Sequence, residues 1–146
     1  PYLRESLMAR GLGVDTYETV APWSALAGLH GAVKAALVLA ARETGSPAVV
    51  MCHLSHSYRD SACLYFTAVF VRAGDPLAQW RALKHAATTA MLKTGGAVSH
   101  HHGMGADHAP YVDRPADGAP DLLAALARSL DPGRVMATGM GAAIGA

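Results

Sequence analysis

Residues 48–72 read AVVMCHLSHSYRDSACLYFTAVFVR, and this stretch decides the fold. Two apolar runs, 48–55 and 62–72, flank a polar link of His56, Ser57, Tyr58, Arg59, Asp60 and Ser61. β-Branched and aromatic residues suit a pleated, half-buried surface. A short polar link between two such runs reads as a hairpin loop. The second run is apolar at consecutive positions, so neither of its faces meets water. That is the pattern of an interior strand.

The reading extends outward on both sides. Upstream, VDTYETV at 14–20 suits a short strand. Pro22 follows at a natural first helical position. Leu26, Leu29, Val33, Leu37 and Ala40 then recur at spacings of three and four, which predicts a helix over 23–43 with one buried stripe. Gly45 ends it and Pro47 prevents continuation. Downstream, Asp75 and Pro76 are an N-cap and first-turn pair. Leu77, Trp80, Leu83, Ala87 and Met91 mark a second helical stripe, closed by Gly95 and Gly96. Residues 97–99 read as a short extended segment, and 121–130 as a last helix stopped by Asp131-Pro132-Gly133. The order strand, helix, strand, strand, helix, strand predicts an α+β, ferredoxin-like antiparallel sheet with helices on one face. A His-rich loop and a helix follow it. On this division residues 14–99 are the ferredoxin-like part and 100–146 an active-site loop and tail.

Composition sets the outer limits. The chain has 146 residues, 51% hydrophobic and 16% charged, which excludes a disordered segment. Twelve Lys and Arg against 11 Asp and Glu is not the basic excess of a nucleic-acid binder. Two cysteines do not make a disulfide scaffold. Cys52 and Cys63 could face each other across a simple hairpin, but two buried free thiols are the preferred reading. The strongly apolar run at 35–41 is shorter than the roughly 20 residues of a spanning helix. No signal-peptide pattern occurs at the start. The chain opens at Pro1, as expected of a piece of a longer protein.

The unusual residue is histidine. There are eight, three of them consecutive in GGAVSHHHGMGADH at 95–108. Imidazole titrates near neutral pH and both donates and accepts hydrogen bonds, so His100, His101 and His102 suit proton transfer or an anionic site. On an extended chain His100 and His102 would point one way and His101 the other. Gly103 and Gly105 would shape a loop around a ligand. The bland alternative is a solvated loop. An affinity tag does not fit a run flanked by structured segments.

Metal binding is the rival chemistry. His100 with His102, or His53 with His56, could ligate together. Yet no HExxH, cysteine pair or carboxylate stands at ligand spacing, so no metal ligands are assigned. His53 alternates with apolar residues and reads as a core histidine. Gly103-Met104-Gly105 lacks the third glycine of a dinucleotide fingerprint, because His108 stands there. Tyr58, between His56 and Arg59, is either a surface tyrosine or a proton donor and acceptor. Arg4 is either an exposed charge or a bidentate anchor for carboxylate or phosphate.

Five motifs occur in order: PYLRESLMARGLGVDTYETVAPWSAL, HLSHSYRDSACLYFT, GDPLAQW, GGAVSHHHGMGADH and LDPGRVM. Together they resemble the C-terminal, substrate-covering region of FAD-linked oxidases of the vanillyl-alcohol oxidase superfamily. Within it they are most similar to the alkyldihydroxyacetonephosphate synthase (alkylglycerone-phosphate synthase) group and its bacterial relatives. The resemblance fades after Met136. It implies an FAD-dependent enzyme that exchanges the acyl group of acyl-dihydroxyacetonephosphate for a fatty alcohol in ether lipid synthesis. In that group the flavin forms an adduct with the substrate and performs no net oxidation.

The resemblance implies Tyr58 as acid/base, with His100, His101 and His102 lining the active site. It implies Arg4 and Arg59 as substrate-binding and His101 and His102 as flavin contacts. FAD would be held mainly by a separate N-terminal domain, the expected partner, beside a small-molecule or lipid substrate. Residues 1–146 would then be the cap region, inactive alone. A homodimer and a cytoplasmic location, with peripheral membrane contact as an option, complete the expectation. Asp107 adds negative charge near the expected phosphate. Two other readings stand beside this one: an FAD-linked dehydrogenase or oxidase of a 2-hydroxy acid, and a self-contained His-rich metal-binding module.

Overall fold

In the computed structural model, residues 2–103, 105, 107–111, 119–133 and 135–136 are described. The chain divides into two units, Pro1–His100 and His101–Ala146.

The first unit begins with a short helix α1 (Tyr2–Ala9), then strand β1 (Leu12–Pro22), a single 3-10 turn (Trp23–Ala25) and helix α2 (Leu26–Glu43). Strands β2 (Ala48–Ser57) and β3 (Ser61–Val71) form the hairpin, and helix α3 (Pro76–Lys93) follows. The sheet is antiparallel with order β1-β3-β2. The interior strand is therefore β3, as its two-sided apolar pattern required. Its turn is tighter than the sequence suggests. Both strands run on into the polar link, leaving only residues 58–60 outside them.

One sheet face carries the core. Tyr17 and Ala21 of β1 and Leu64, Phe66, Ala68 and Phe70 of β3 are buried with Leu29, Val33 and Leu37 of α2 and Leu83, Ala87 and Met91 of α3. Burying such side chains yields about 25 cal/mol per Å² of apolar surface, which is what holds the helices on the sheet. By length and composition Trp23–Glu43 could cross a membrane. In the structure its stripe of Leu29, Val33, Leu37, Ala40 and Ala41 is buried in this core.

Pro22, read as a first helical position, instead ends β1, and α2 starts only after the 3-10 turn, whereas the ends of α3 follow their sequence signals. The Asp75 carboxylate accepts from the backbone N–H groups of Leu77 (2.9 Å) and Ala78 (3.2 Å), with Pro76 in the first turn. Gly95, at φ 79°, closes α3, and the Gly96 N–H donates to the Met91 carbonyl at 2.8 Å. Only a residue without Cβ takes that left-handed backbone at no steric cost. A polar clamp joins α3 to β1. Asp15 accepts from Trp80 Nε1 at 2.9 Å and pairs with Lys84 at 3.1 Å, while the Lys84 ammonium lies over the Tyr17 ring. Burial pushes the Tyr17 phenol far up, and the Asp15 charge adds to this.

Among the described residues, no fourth strand of a full ferredoxin-like sheet is formed. Residues 97–99 lie along β1, but their contact is one backbone bond from the Ala97 N–H to the Val20 carbonyl (3.0 Å). The Thr19 hydroxyl also donates to the Ala97 carbonyl (2.6 Å). Three residues between a glycine pair and the histidine run are too few for a ladder. The fold is a three-stranded antiparallel sheet with helices, of the α+β class.

The cysteines do not face each other. Cys52 is opposite Phe66 and packs against the helix-side core, whereas Cys63 is opposite Val20 and His56 on the other face. Both are free, Cys63 buried and Cys52 partly so.

The second unit contains a 3-10 turn (Ala109–Tyr111) and helix α4 (Ala119–Leu130), reaching two residues earlier than the spacing suggests. Asp131 ends it, its carboxylate accepting from the N–H groups of Val135 (2.9 Å) and Met136 (2.8 Å).

Candidate active site

On the sheet face away from α2 and α3 the two ends differ. Strand alternation and register place Leu12, Val14, Val69, Val71, Val49 and Met51 at one end. Glu18, Cys63, Ser55 and His56 stand at the other. The polar end is held together by the carboxylate of Glu18, whose side chain is only 3% exposed. Its Oε1 accepts from the Cys63 thiol at 3.0 Å and from the Ser55 hydroxyl at 3.2 Å. His56 Nδ1 lies 3.9 Å from it and His100 Nδ1 3.6 Å.

A β-bulge makes this possible. Simple alternation from His53 would put Ser55 on this face and His56 on the one that α2 and α3 cover. The register slips between Leu54 and His56, so His56 stands opposite Cys63. One extra residue in a strand re-aims the side chain that follows it. Ser55 and His56 both reach toward Glu18, and His56 Nδ1 is 3.1 Å from the Ser55 hydroxyl.

Tyr58 comes from the turn just beyond the bulge. Its backbone N–H donates to the Ser61 carbonyl (2.8 Å), and Trp23 Nε1 donates to the Tyr58 carbonyl (3.1 Å). The turn is thus tied to the end of β1. The Tyr58 hydroxyl is 2.9 Å from His100 Nε2. His100 is delivered by residues 96–99 lying along β1. That approach depends on Gly96, where a Cβ would meet Leu29 Cδ1 at 2.6 Å and Thr19 Oγ1 at 2.7 Å. His56, Tyr58 and His100 form a ring cluster, with His56 parallel to Tyr58 and edge-on to His100.

Of the residues singled out from sequence, the structure brings together Tyr58, His56 and His100. Arg59 is exposed in the same turn. Arg4 is exposed on α1, which enters the sheet at the Leu12 end, remote along β1 from Tyr58. His101 and His102 belong to the second unit, their rings 4.3 Å apart and nearly perpendicular. The run is not extended, because His101 takes a left-handed backbone (φ 45°). The simple alternation of the three side chains therefore does not apply. His53 is not a core residue. It is exposed, opposite Tyr65, its ring 5.2 Å from the tyrosine ring.

Glu18 is the residue the sequence did not reveal. It stands among strand residues, 38 positions before His56, and no spacing rule joins them. The one available signal was its parity: in VDTYETV it shares a face with Thr16 and Val20, opposite to Tyr17 and Thr19. Burial pushes the Cys63 thiol up to about 11, and the Glu18 carboxylate adds to this. Cys63 is therefore a thiol at neutral pH and donates to Glu18.

Glu18, His56 and His100 each offer a ligand atom, and these atoms lie within 4.8 Å of one another. The donor set, two imidazole nitrogens and a carboxylate oxygen, is one that zinc accepts. Tyr58, His56 and His100 at this end of the sheet also suit the reacting ring of a flavin. They do not suit its pyrophosphate, which calls for backbone N–H groups at a helix start or nest.

The chain matches the family described as FAD linked oxidases, C-terminal domain, over residues 1–140. It is 34% identical over 134 residues to alkyldihydroxyacetonephosphate synthase of Dictyostelium discoideum, covering 90% of this chain and 22% of that protein. Its identity to the same enzyme of Trypanosoma brucei brucei is 33%, again over 90% of this chain and 22% of the relative. To that of Caenorhabditis elegans it is 30%, over 94% of this chain and 24% of the relative. A solved structure of alkyldihydroxyacetonephosphate synthase in P212121 superposes with a TM-score of 0.67 at 26% identity, covering 90% of this chain and 21% of the other. The chain thus spans less than a quarter of the length of these relatives. Sequence and fold agree: this chain belongs to the family of FAD-linked oxidase C-terminal domains.

Proposed function

We propose that this chain is the substrate-covering part of an FAD-dependent enzyme of the alkyldihydroxyacetonephosphate synthase type. The reaction exchanges the acyl group of acyl-dihydroxyacetonephosphate for a fatty alcohol. The observation that carries this reading is the line Glu18, His100, Tyr58 at the polar end of a sheet face that is aliphatic at its other end. Removing a proton next to a carbonyl needs a positioned base. Tyr58, 2.9 Å from His100 Nε2, can pass its own proton to the imidazole and take one from the substrate. His56 lies beside both and keeps a second imidazole within reach of the same proton. From Glu18 back to Leu12 is six residues, about 20 Å of strand, and Leu12, Val14, Val69 and Met51 give a fatty chain an apolar bed along it.

When bound, the flavin supplies the centre that holds the substrate's reacting carbon during the exchange. Its pyrophosphate belongs to a separate N-terminal domain, the partner in this proposal. His101 and His102 as flavin contacts, and Arg4 and Arg59 as ligands for the anionic head, rest on the resemblance. So do the cytoplasmic location with peripheral membrane contact and the homodimer.

The test is the flavin absorbance of the full protein carrying this sequence, without oxygen, on adding acyl-dihydroxyacetonephosphate. Bleaching with release of fatty acid, and no net reduction after fatty alcohol is added, is the expected result. An unchanged spectrum that is bleached instead by a 2-hydroxy acid would replace it with the dehydrogenase reading. The grouping of Glu18, His56 and His100 favours a second reading, a divalent metal site. Zinc–nitrogen and zinc–oxygen bonds are about 2.0–2.2 Å long, so the imidazoles would close inward. Calorimetry with zinc, giving one tight site that His56→Ala abolishes, would favour the metal site. Absence of binding would retire it.

A further inference from the structure

The reaction above gives Glu18 a place in the line to Tyr58 but no step of its own, yet the polar end of the sheet is built around it. A carboxylate is an acceptor only, so groups that meet it turn their protons toward it. The Ser55 hydroxyl and the Cys63 thiol both donate to Oε1. His100 presents Nδ1 to the same oxygen at 3.6 Å, and its other nitrogen, Nε2, faces the Tyr58 hydroxyl at 2.9 Å. In a neutral imidazole one nitrogen carries the proton and the other accepts. A buried charge acts on that choice more strongly than one in water would.

We propose that Glu18 is a positioning residue that sets the proton polarity of the site. It holds the His100 proton on Nδ1, leaves Nε2 as an acceptor, and so makes Tyr58 the donor in the Tyr58–His100 bond. The direction matters because only this polarity lets Tyr58 hand its proton inward and act as a base. In the opposite tautomer Nε2–H donates to the tyrosine oxygen, and that route is closed. When the Tyr58 proton moves to Nε2, the imidazolium is balanced by the Glu18 charge. No bond other than O–H and N–H changes, and the proton returns by the same path. The same logic reaches His56, whose Nδ1 is 3.1 Å from the Ser55 hydroxyl and 3.9 Å from Glu18.

The proposal rests on Tyr58 being the acid/base, and the test separates the two ideas. The FAD-loaded full protein is labelled with ¹⁵N-histidine, and long-range ¹H–¹⁵N spectra report which His100 nitrogen carries the proton. His100→Gln assigns the signal. The expected parent form is Nδ1–H. Glu18→Gln, whose amide can turn an N–H toward Nδ1, moves His100 toward the Nε2–H form. It lowers kcat by roughly 10²-fold, with KM changed by less than about threefold, as loss of general-base help requires. Glu18→Asp restores most of kcat and the parent tautomer. Tyr58→Phe, at the exposed turn, leaves the Nδ1–H form in place because Glu18 and not Tyr58 selects it.

An Nε2–H form in the parent overturns the proposal, and so does loss of Nδ1–H in Tyr58→Phe. These two spectra decide the matter even if Glu18→Gln does not fold. Nδ1–H in the parent together with a flavin that responds to no substrate supports Glu18 and overturns the reaction. A full flavin response with Nε2–H does the reverse.

Discussion

Tyr58 is about half exposed, at 47%, with its hydroxyl 2.9 Å from His100 Nε2 and its ring edge-on to that imidazole. Replacing it with Phe removes that hydroxyl and little packing. The expected outcome is a loss of about 10²–10⁴ in kcat with an unchanged melting temperature, checked by steady-state kinetics and calorimetry. Cys52 and Cys63 make the opposite case. Burial pushes both thiols up to about 11. The folded state then favours the neutral thiol more than the unfolded chain does. The stabilisation is fully present below about pH 9 and is lost as pH rises toward about 11. Denaturant midpoints measured from pH 7 to pH 11 should fall across that window. A Cys52→Ser, Cys63→Ser double variant should fall less. Alkylation of the native protein at pH 8 should be slow at both positions.

At the scale of elements, the site is assembled by two irregularities. The bulge between Leu54 and His56 turns His56 to the Glu18 side. The Gly95-Gly96 pair then stops α3 and lays the chain against β1, so that His100 arrives opposite Tyr58. Gly96 is buried between Leu29 and Thr19 with no space for a methyl group. Overpacking of this kind costs about 1–3 kcal/mol. Gly96→Ala should therefore lower the unfolding free energy by that amount, read from the shift of the denaturant midpoint. It should also weaken the Tyr58–His100 bond, read as a change in the His100 NMR signals. A fully stable variant with an unchanged His100 signal would show that the approach tolerates the change.

At the scale of the whole molecule, one sheet face is covered by α2 and α3, and the other leaves aliphatic side chains exposed at one end. Val49, Met51 and Val71 are 64%, 52% and 45% exposed along its aliphatic end. Exposed apolar patches of this sort drive association. The 146-residue chain alone should bind a hydrophobic dye and self-associate with rising concentration in analytical ultracentrifugation. Val49→Glu with Met51→Lys should suppress both. A monodisperse monomer without dye binding would show that this face is satisfied within the chain.

The sequence by itself determined the local elements. Leu29, Val33 and Leu37 repeat at helical spacing, Asp75-Pro76 and Gly95-Gly96 bound α3, and the two-sided pattern of 62–72 required an interior strand. These signals lie within a few residues of what they specify, so they are legible in one dimension. The same holds for Tyr58 and His100 as chemistry-bearing types, and for the motifs that carry the family resemblance. The tertiary structure alone decided the rest. A fourth strand needed more residues than 97–99 supply. The face that His56 takes depends on a bulge that alternation does not reveal. Glu18 meets His56 and His100 only because β1, β2 and the segment after α3 converge on one sheet end. Register and bulges depend on which strands become neighbours, and strand residues carry no mark of the partner they will face.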